Sequence, residues 1–157
     1  RSPCPLLNTL ANHGFLNRDG RSLTMYHIDA AIMSAMNMDL NTTQLFTANC
    51  FTELGLSTTD PSVAIDLEDL NAHGLTEHDA SLTRLDKIQG DTLRLQPHML
   101  DNMLNDAGPS PFLNTTSMGR TRARRERESL AAGSPILTSK AQGSCMIEAA
   151  LVLVLLG

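Results

Sequence analysis

Proline and glycine divide this 157-residue sequence into short segments, several of which carry apolar residues at helical spacing. Pro5 suits a first helical position and Gly14 a C-terminal stop, which predicts a helix over residues 6–13. The same reasoning predicts further helices over residues 22–38, 43–54, 98–105, 120–132 and from 141 to the end of the chain. Strand-like alternation is limited to residues 64–67. We therefore predict a mostly α-helical chain that forms a single domain over residues 1–157.

The composition excludes several classes of protein. With 41% hydrophobic residues and a net charge of −5, the chain has the makeup of a folded domain. The longest apolar run, residues 149–156, is too short to cross a bilayer. Aromatic residues make up only 3% and the balance is acidic, which argues against nucleic-acid binding. We therefore expect neither a membrane nor a nucleic acid as a partner.

Five arginines lie within residues 120–127, interleaved with Glu126 and followed by Glu128. Alternating charges of this kind are typical of a solvated helical face. We therefore expect the cluster to be exposed. On this interpretation, replacing Arg122 and Arg125 by glutamine changes the function of the chain by no more than a few-fold.

The three cysteines, Cys4, Cys50 and Cys145, leave at least one thiol outside any disulfide. No CxxC spacing is present, which argues against a structural zinc site. Cys4 lies between Pro3 and Pro5, just before a predicted helix, where free amides and the helix dipole favour a thiolate. An anionic sulfur there is suited to ligate a metal. A disulfide partner and an inert buried thiol are the alternatives.

The sequence EHDAS at residues 77–81 concentrates oxygen donors, since it offers carboxylates, backbone carbonyls and a serine hydroxyl. Such donors suit a hard cation. His78 within it could orient a neighbouring carboxylate or move protons. The alternative is a solvated polar turn.

Glu148 lies among apolar residues of the last predicted helix. A carboxylate there is costly to bury unless it is neutral, paired or used in chemistry. Burial would raise its pKa towards values suited to proton transfer. The alternative is a helix that turns Glu148 outward.

Together these segments resemble the heme-thiolate peroxygenases and chloroperoxidases, in particular the short fungal peroxygenases. The resemblance rests on PCPLLNTLANHG at residues 3–14, RDG at 18–20, LEDL at 67–70, and HG and EHDASLTR within residues 73–84. A weaker match over residues 144–150 places Glu148 at the family's distal acid. Asn17 stands where the family usually has proline, and family members continue well beyond the distal helix. The resemblance thus implies a single-domain helical heme-thiolate peroxidase-like fold, shortened at its C-terminus.

This resemblance implies heme b as cofactor, with Cys4 as the axial ligand of its iron. Glu148 is then the acid that takes a proton from hydrogen peroxide and returns it, and His78 holds Glu148 in position. The side chains of Glu77 and Ser81 and the backbone carbonyl of His78 are the implied ligands of Mg²⁺ or Mn²⁺ beside a heme propionate.

The implied function is peroxide-dependent insertion of oxygen into small apolar organic substrates, by hydroxylation or epoxidation, with halide and one-electron oxidation as further activities. The alternatives are a chloroperoxidase-type haloperoxidase and a non-catalytic heme-binding helical fragment. The family suggests an extracellular glycoprotein, and Asn41 and Asn114 begin sequons that fit this expectation. The chain opens at Arg1 with no signal peptide, which we interpret as a mature or trimmed form.

Overall fold

A computed structural model describes residues 1–156 of the chain. The chain divides into two compact units, residues 1–77 and residues 78–157. The described part contains six α-helices and one small sheet of two strands, which confirms the prediction of a mostly helical fold. Within residues 1–156, no helix is both long enough and apolar enough to span a bilayer.

The first unit contains three helices and the sheet: α1 (Pro5–His13), β1 (Leu23–Thr24), α2 (Met25–Met36), α3 (Leu40–Glu53), β2 (Ala64–Ile65) and a 3₁₀ helix (Leu67–Asn71). The strands run antiparallel, with Leu23 opposite Ile65. The strand-like alternation over residues 64–67 overlaps β2, whereas β1 was not predicted because its two residues fall within the helix predicted over residues 22–38. A conventional apolar core holds the unit together, including Leu10, Ile28 and Phe51.

Side-chain caps mark where three of the helices begin. Thr24 Oγ1, Asp39 Oδ1 and Asn114 Oδ1 each accept a hydrogen bond from the backbone N–H three residues on. The predicted bounds of residues 22–38, 43–54 and 120–132 are therefore wrong at their starts, since the observed helices begin at residues 25, 40 and 115. The largely polar first turns of α3 and α5 conceal their starts, because they break the apolar spacing on which the predictions relied. The start of α2 was instead predicted three residues too early, before its Thr24 cap.

The second unit contains a 3₁₀ helix (Lys87–Gln89), α4 (Pro97–Asn105), α5 (Thr115–Ala131) and α6 (Ser139–Leu156). α5 packs against α4 and α6. Within residues 78–154, whose burial the structure describes, the apolar cluster of this unit has three buried members, Met103, Met118 and Ala149. Several polar side chains are buried beside them, namely Asp86, Ser117, Thr121, Arg122, Arg125, Ser129 and Ser134. Buried hydrogen bonds therefore contribute more to the packing of this unit than to that of the first.

The prediction of a solvated arginine cluster is wrong for two of its members. Arg122 and Arg125 are 8% and 4% exposed, whereas Arg120 and Arg127 are exposed as predicted. The two buried arginines lie three residues apart on one face of α5, which is the face turned towards the rest of the unit. Charge alternation could not show this, because it does not reveal whether a guanidinium has acceptors inside the fold.

Gly20 provides a test of packing in the first unit. Its φ of +73° favours glycine, and a Cβ at this position would lie 2.9 Å from Leu67 Cδ1. Gly55 has a similar φ of +70°, but an added Cβ meets nothing within 4 Å. We expect Gly20→Ala to lower the free energy of unfolding by about 1–3 kcal/mol more than Gly55→Ala. Urea denaturation measures both values, and equal losses would contradict the close packing at Gly20.

Asp106 provides a test of pH dependence in the second unit. Burial raises the pKa of its carboxyl group, but hydrogen bonds from Arg124 and Thr121 outweigh this and hold the pKa below its usual 3.8. A carboxyl group whose pKa is lower in the folded state stabilises the fold above its unfolded pKa, and this stability is lost as the pH falls through the folded pKa. We expect acid unfolding below about pH 4 to be less pH-dependent in Asp106→Asn than in the wild type. Asp101→Asn, at an exposed position of α4, is the matched control. Urea denaturation at a series of pH values below about 4 measures the effect, and the same pH dependence in Asp106→Asn and Asp101→Asn would contradict the lowered pKa of Asp106.

Candidate active site

Cys4 occupies the N-cap position of α1, in extended backbone conformation and half-buried. The segment before it is pinned by Asn8, whose side chain accepts from the Ser2 N–H at 2.9 Å and donates to the Ser2 carbonyl at 2.8 Å. Ser2 Oγ in turn donates to the Cys4 carbonyl at 3.2 Å. The sulfur therefore belongs to a fixed turn beside the positive end of a helix, where a thiolate is stabilised.

Cys50 differs from Cys4 in its electrostatic environment. Burial raises the pKa of the Cys50 thiol to about 12, with further contributions from Cys4 and Glu53. Cys50 therefore remains a neutral thiol at ordinary pH, hydrogen-bonded to the Phe46 carbonyl at 3.5 Å. All three cysteines of the chain are reduced in this structure. Cys4 is the better candidate for an anionic sulfur ligand.

In the second unit, the structure brings His78 and Glu148 together. The imidazole is buried, and its Nε2 lies 3.3 Å from Glu148 Oε1 on α6. The other ring nitrogen, Nδ1, donates to the Asp79 carbonyl at 2.8 Å. Burial by itself lowers the pKa of His78, but the contacts with Cys145, Glu148 and the Asp79 carbonyl outweigh it and raise the pKa above its usual value. The ring is thus held at both ends, with one nitrogen directed at the carboxylate.

The carboxylate of Glu148 is 44% exposed. The expectation that burial adjusts its acidity is therefore not met, and the structure favours the alternative in which α6 turns this side chain partly outward. One helical turn earlier, the buried sulfur of Cys145 lies 3.6 Å and 3.9 Å from the two nitrogens of His78. Such similar distances place the sulfur beside the ring, where it limits the positions that the imidazole can take.

The segment at residues 77–81 is not the solvated turn that was the alternative interpretation. Glu77, His78, Asp79 and Ala80 are all buried. In the first unit, Glu77 Oε2 lies 2.5 Å from His73 Nδ1, and the Gly74 N–H donates to the Glu77 carbonyl at 2.9 Å. Glu77 is thus a buried carboxylate with one identified polar partner.

Ser81 lies in the second unit and is half-buried. Its carbonyl accepts a hydrogen bond from Arg125 Nε at 2.7 Å. Across residues 1–156, no group of three or more His, Cys, Asp or Glu side chains is arranged to hold a metal ion. The predicted cation site draws on a different donor set, because it combines one carboxylate with a hydroxyl and a backbone carbonyl.

The sequence interpretation missed three residues near this segment: Asp86, Arg122 and Arg125. Asp86 is completely buried and accepts from the Ala80 N–H at 2.9 Å. The two arginines donate to backbone carbonyls of residues 80 and 81. A usable signal existed in the spacing of α5, since Met118, Arg122 and Arg125 recur at helical intervals on one face.

An open groove of about 760 Å³ lies on the first unit. Its lining is largely apolar and includes Met25, Met33 and Leu40. None of the predicted site residues lines it. The methionine-rich composition thus contributes to a surface groove as well as to the core.

Comparison with known proteins identifies relatives by sequence. An aromatic peroxygenase of Cyclocybe aegerita is 32% identical over 148 residues, covering 83% of this chain and 39% of that protein. An aromatic peroxygenase of Coprinellus radians is 31% identical over 147 residues, covering 83% of this chain and 56% of that protein. A chloroperoxidase of Leptoxyphium fumago is 33% identical over 92 residues, covering 57% of this chain and 25% of that protein.

This chain therefore spans between about a quarter and just over half of the length of these curated relatives. The model of the family described as "Peroxidase, family 2" matches residues 1–157. This match covers both units, including Cys4 in the first and the His78–Glu148 pair in the second. The chain belongs to peroxidase family 2.

Proposed function

We propose that this chain performs peroxygenase chemistry, in which hydrogen peroxide supplies the oxygen that is inserted into a small apolar organic substrate. The observation that carries the proposal is the His78–Glu148 pair, a partly exposed carboxylate held by a buried imidazole. A fixed and accessible carboxylate meets the geometric requirement for general acid–base catalysis. Membership of the family and the two aromatic peroxygenases among the relatives support this reaction class.

Heme b is the cofactor that we propose, and the sulfur of Cys4 would hold its iron. The half-buried sulfur beside the N-terminus of α1 fits this role, because that environment stabilises an anionic ligand. When heme is bound through a thiolate, the donated electron density favours cleavage of the O–O bond. The hydrogen bonds of Asn8 and Ser2 keep the cysteine backbone in one conformation.

Glu148 is the proposed proton carrier. Its carboxylate would take the proton from one peroxide oxygen and deliver it to the other, which leaves as water, while the remaining oxygen atom is the one transferred to the organic substrate. Because Oε1 faces His78, we assign this transfer to Oε2. His78 has the separate task of holding the carboxylate, and it is fixed for that task by its contacts with Asp79 and Cys145.

A divalent cation, Mg²⁺ or Mn²⁺, is proposed at the Glu77 and Ser81 side chains and the His78 carbonyl. These oxygen donors suit a hard cation, and a buried carboxylate such as Glu77 is stabilised by positive charge. The cation would supply positive charge that offsets the charge of a heme propionate. It would also restrain the segment that carries His78.

Two other functions remain as alternatives. Halide oxidation is favoured by the chloroperoxidase among the relatives. Bromide and an aromatic substrate, compared at equal peroxide concentration, separate the two activities by product formation. A non-catalytic heme-binding protein is the second alternative, and it would give a thiolate-heme Soret band in the ferrous carbonyl form without turnover of peroxide.

An extracellular location is part of the proposal. The sequon residues Asn41 and Asn114 are both exposed. Asn114 caps α5 through Oδ1, so the cap does not use Nδ2, the atom that carries an N-linked glycan.

The proposal predicts a large effect of Glu148→Gln. Glutamine keeps the size of the side chain but cannot carry the proton, so the rate of reaction with peroxide should fall by at least about 100-fold. The thiolate-heme spectrum should persist, because heme retention depends on Cys4 rather than on Glu148. Stopped-flow mixing with peroxide measures the rate.

Glu68→Gln, at an exposed glutamate of the first unit, is the matched control and should react at the wild-type rate. His78→Ala should slow the same step less than Glu148→Gln, since it removes the support and leaves the carrier. A near-native rate in Glu148→Gln would rule out this residue as the acid.

The cation site predicts a second set of effects. Glu77→Ala removes the only carboxylate among the proposed ligands, so metal content, heme retention and melting temperature should all fall. Added Mg²⁺ should protect the wild type and Glu68→Ala against thermal unfolding, but not Glu77→Ala. Elemental analysis gives the metal content, and an unchanged value in Glu77→Ala would reject the site.

A further inference from the structure

Two buried cations on α5 have contacts that the proposed chemistry does not explain. Arg122 and Arg125 are 8% and 4% exposed. A buried guanidinium is costly unless its N–H groups find acceptors inside the fold. The acceptors that these arginines use therefore indicate what the two side chains do.

Each arginine donates to one of two consecutive backbone carbonyls. Arg122 Nη1 lies 2.6 Å from the Ala80 carbonyl oxygen, and Arg125 Nε lies 2.7 Å from that of Ser81. Hydrogen bonds from a charged donor are stronger than those between neutral groups, and in a buried setting they are only weakly screened. The two arginines thus fix adjacent peptide units of a segment that has no regular secondary structure.

The backbone at this point needs such support. Ala80 is completely buried and has a φ of +56°, in the left-handed region that non-glycine residues rarely adopt. Its N–H donates to Asp86 Oδ1 at 2.9 Å, while its carbonyl accepts from Arg122. Both polar groups of this residue are therefore held in place.

Asp86 links the backbone of Ala80 to Arg125 and Ser134. Its Oδ2 accepts from Ser134 Oγ at 2.6 Å, and its Oδ1 lies 3.4 Å from Arg125 Nη2. Arg125 also pairs with Glu128 on its own helix. One guanidinium therefore contacts the Ser81 carbonyl and two carboxylates.

The contacts of Arg122, Arg125 and Asp86 with residues 80 and 81 lie next to His78 in the sequence, and His78 is half of the proposed His78–Glu148 pair. His78 lies two residues before Ala80, and its Nδ1 donates to the carbonyl of Asp79. That carbonyl belongs to the peptide unit that enters Ala80, so the orientation of the imidazole depends on the conformation that Arg122 and Asp86 maintain. We propose that Arg122 and Arg125 are positioning residues that fix the backbone of residues 78–81 and thereby aim His78 at Glu148. The expected effect on the reaction with peroxide rests on the proposed function, whereas the expected effect on the backbone of residues 78–81 does not.

The test compares Arg122→Gln and Arg125→Gln with Arg127→Gln in the heme-loaded 157-residue chain. Arg127 is exposed on the same helix, so its replacement makes the same change in charge without touching the segment. Hydrogen–deuterium exchange of residues 78–86 should be at least about tenfold faster in the first two variants than in the control. Exchange over α4 should be the same in all three, which separates a local effect from general loosening.

The kinetic readout is the apparent second-order rate constant for peroxide. We expect it to fall by about tenfold or more in Arg122→Gln and Arg125→Gln, because a misplaced carboxylate transfers the proton less often. KM for the organic substrate should stay within about twofold of the wild type, since a change confined to the proton-transfer step leaves substrate binding intact. A general loss of structure would alter both constants.

Lysine variants keep the test informative if the glutamine variants do not fold. Arg122 makes its carbonyl contact through one terminal nitrogen, which a lysine ammonium can replace. Arg125 uses three nitrogens on three different partners, which lysine cannot reproduce. Arg122→Lys should therefore retain slow exchange over residues 78–86, while Arg125→Lys should not.

Exchange over residues 78–86 that matches the Arg127→Gln control in every variant would overturn the positioning role. Equal behaviour of the two lysine variants would overturn it as well. If exchange increases as expected while Glu148→Gln reacts normally with peroxide, the positioning role stands and the proposed function fails. The two proposals therefore fail through different measurements.

Discussion

The second unit of this protein depends on the burial of two guanidinium groups. A charge inside the fold is tolerated only where hydrogen bonds replace those that water would make. Arg125 meets this condition through the Ser81 carbonyl and the carboxylate of Asp86. Arg122 meets it in part, through the Ala80 carbonyl and Glu126, since its buried Nε has no partner in the part of the chain that the structure describes. A segment without helix or strand is thereby held by charged donors on α5. The buried apolar cluster described in this unit, Met103, Met118 and Ala149, packs beside these buried polar side chains.

The first unit is organised differently, because its core is apolar and α2 and α3 begin at side-chain caps. To the proposed chemistry it contributes the sulfur of Cys4, at a helix N-terminus, and the buried carboxylate of Glu77. Cys50 shows why the environment matters, since burial raises the pKa of its thiol to about 12. The same side chain is thus suited to anionic ligation in one place and to neutral packing in the other.

The partial exposure of Glu148 changes the physical account of the proposed acid. Burial was the expected means of adjusting its acidity, yet 44% of the side chain is exposed. Orientation by His78 is then the property that distinguishes Glu148 from other carboxylates on the surface. The imidazole can provide this orientation because Asp79 and Cys145 hold it, and because the backbone that carries it is itself fixed. The orientation of Glu148 therefore depends on His78, and the position of His78 depends on the backbone that Arg122 and Arg125 hold.

The sequence by itself determined the helical class and most of the helix ends that proline or glycine marks. It also singled out Cys4, His78 and Glu148 as candidate site residues. Each of these features depends on residues that are close together in the sequence, so it can be recognised without knowledge of the fold. Only the tertiary structure decided that Glu148 is partly exposed and that Arg122 and Arg125 are buried. Whether a charged side chain faces solvent or the interior depends on the acceptors that distant segments bring to it. The spacing of α5 indicates that Arg122 and Arg125 share a face with Met118, but it does not reveal the carbonyls that receive the guanidinium groups, which lie about forty residues away in the sequence.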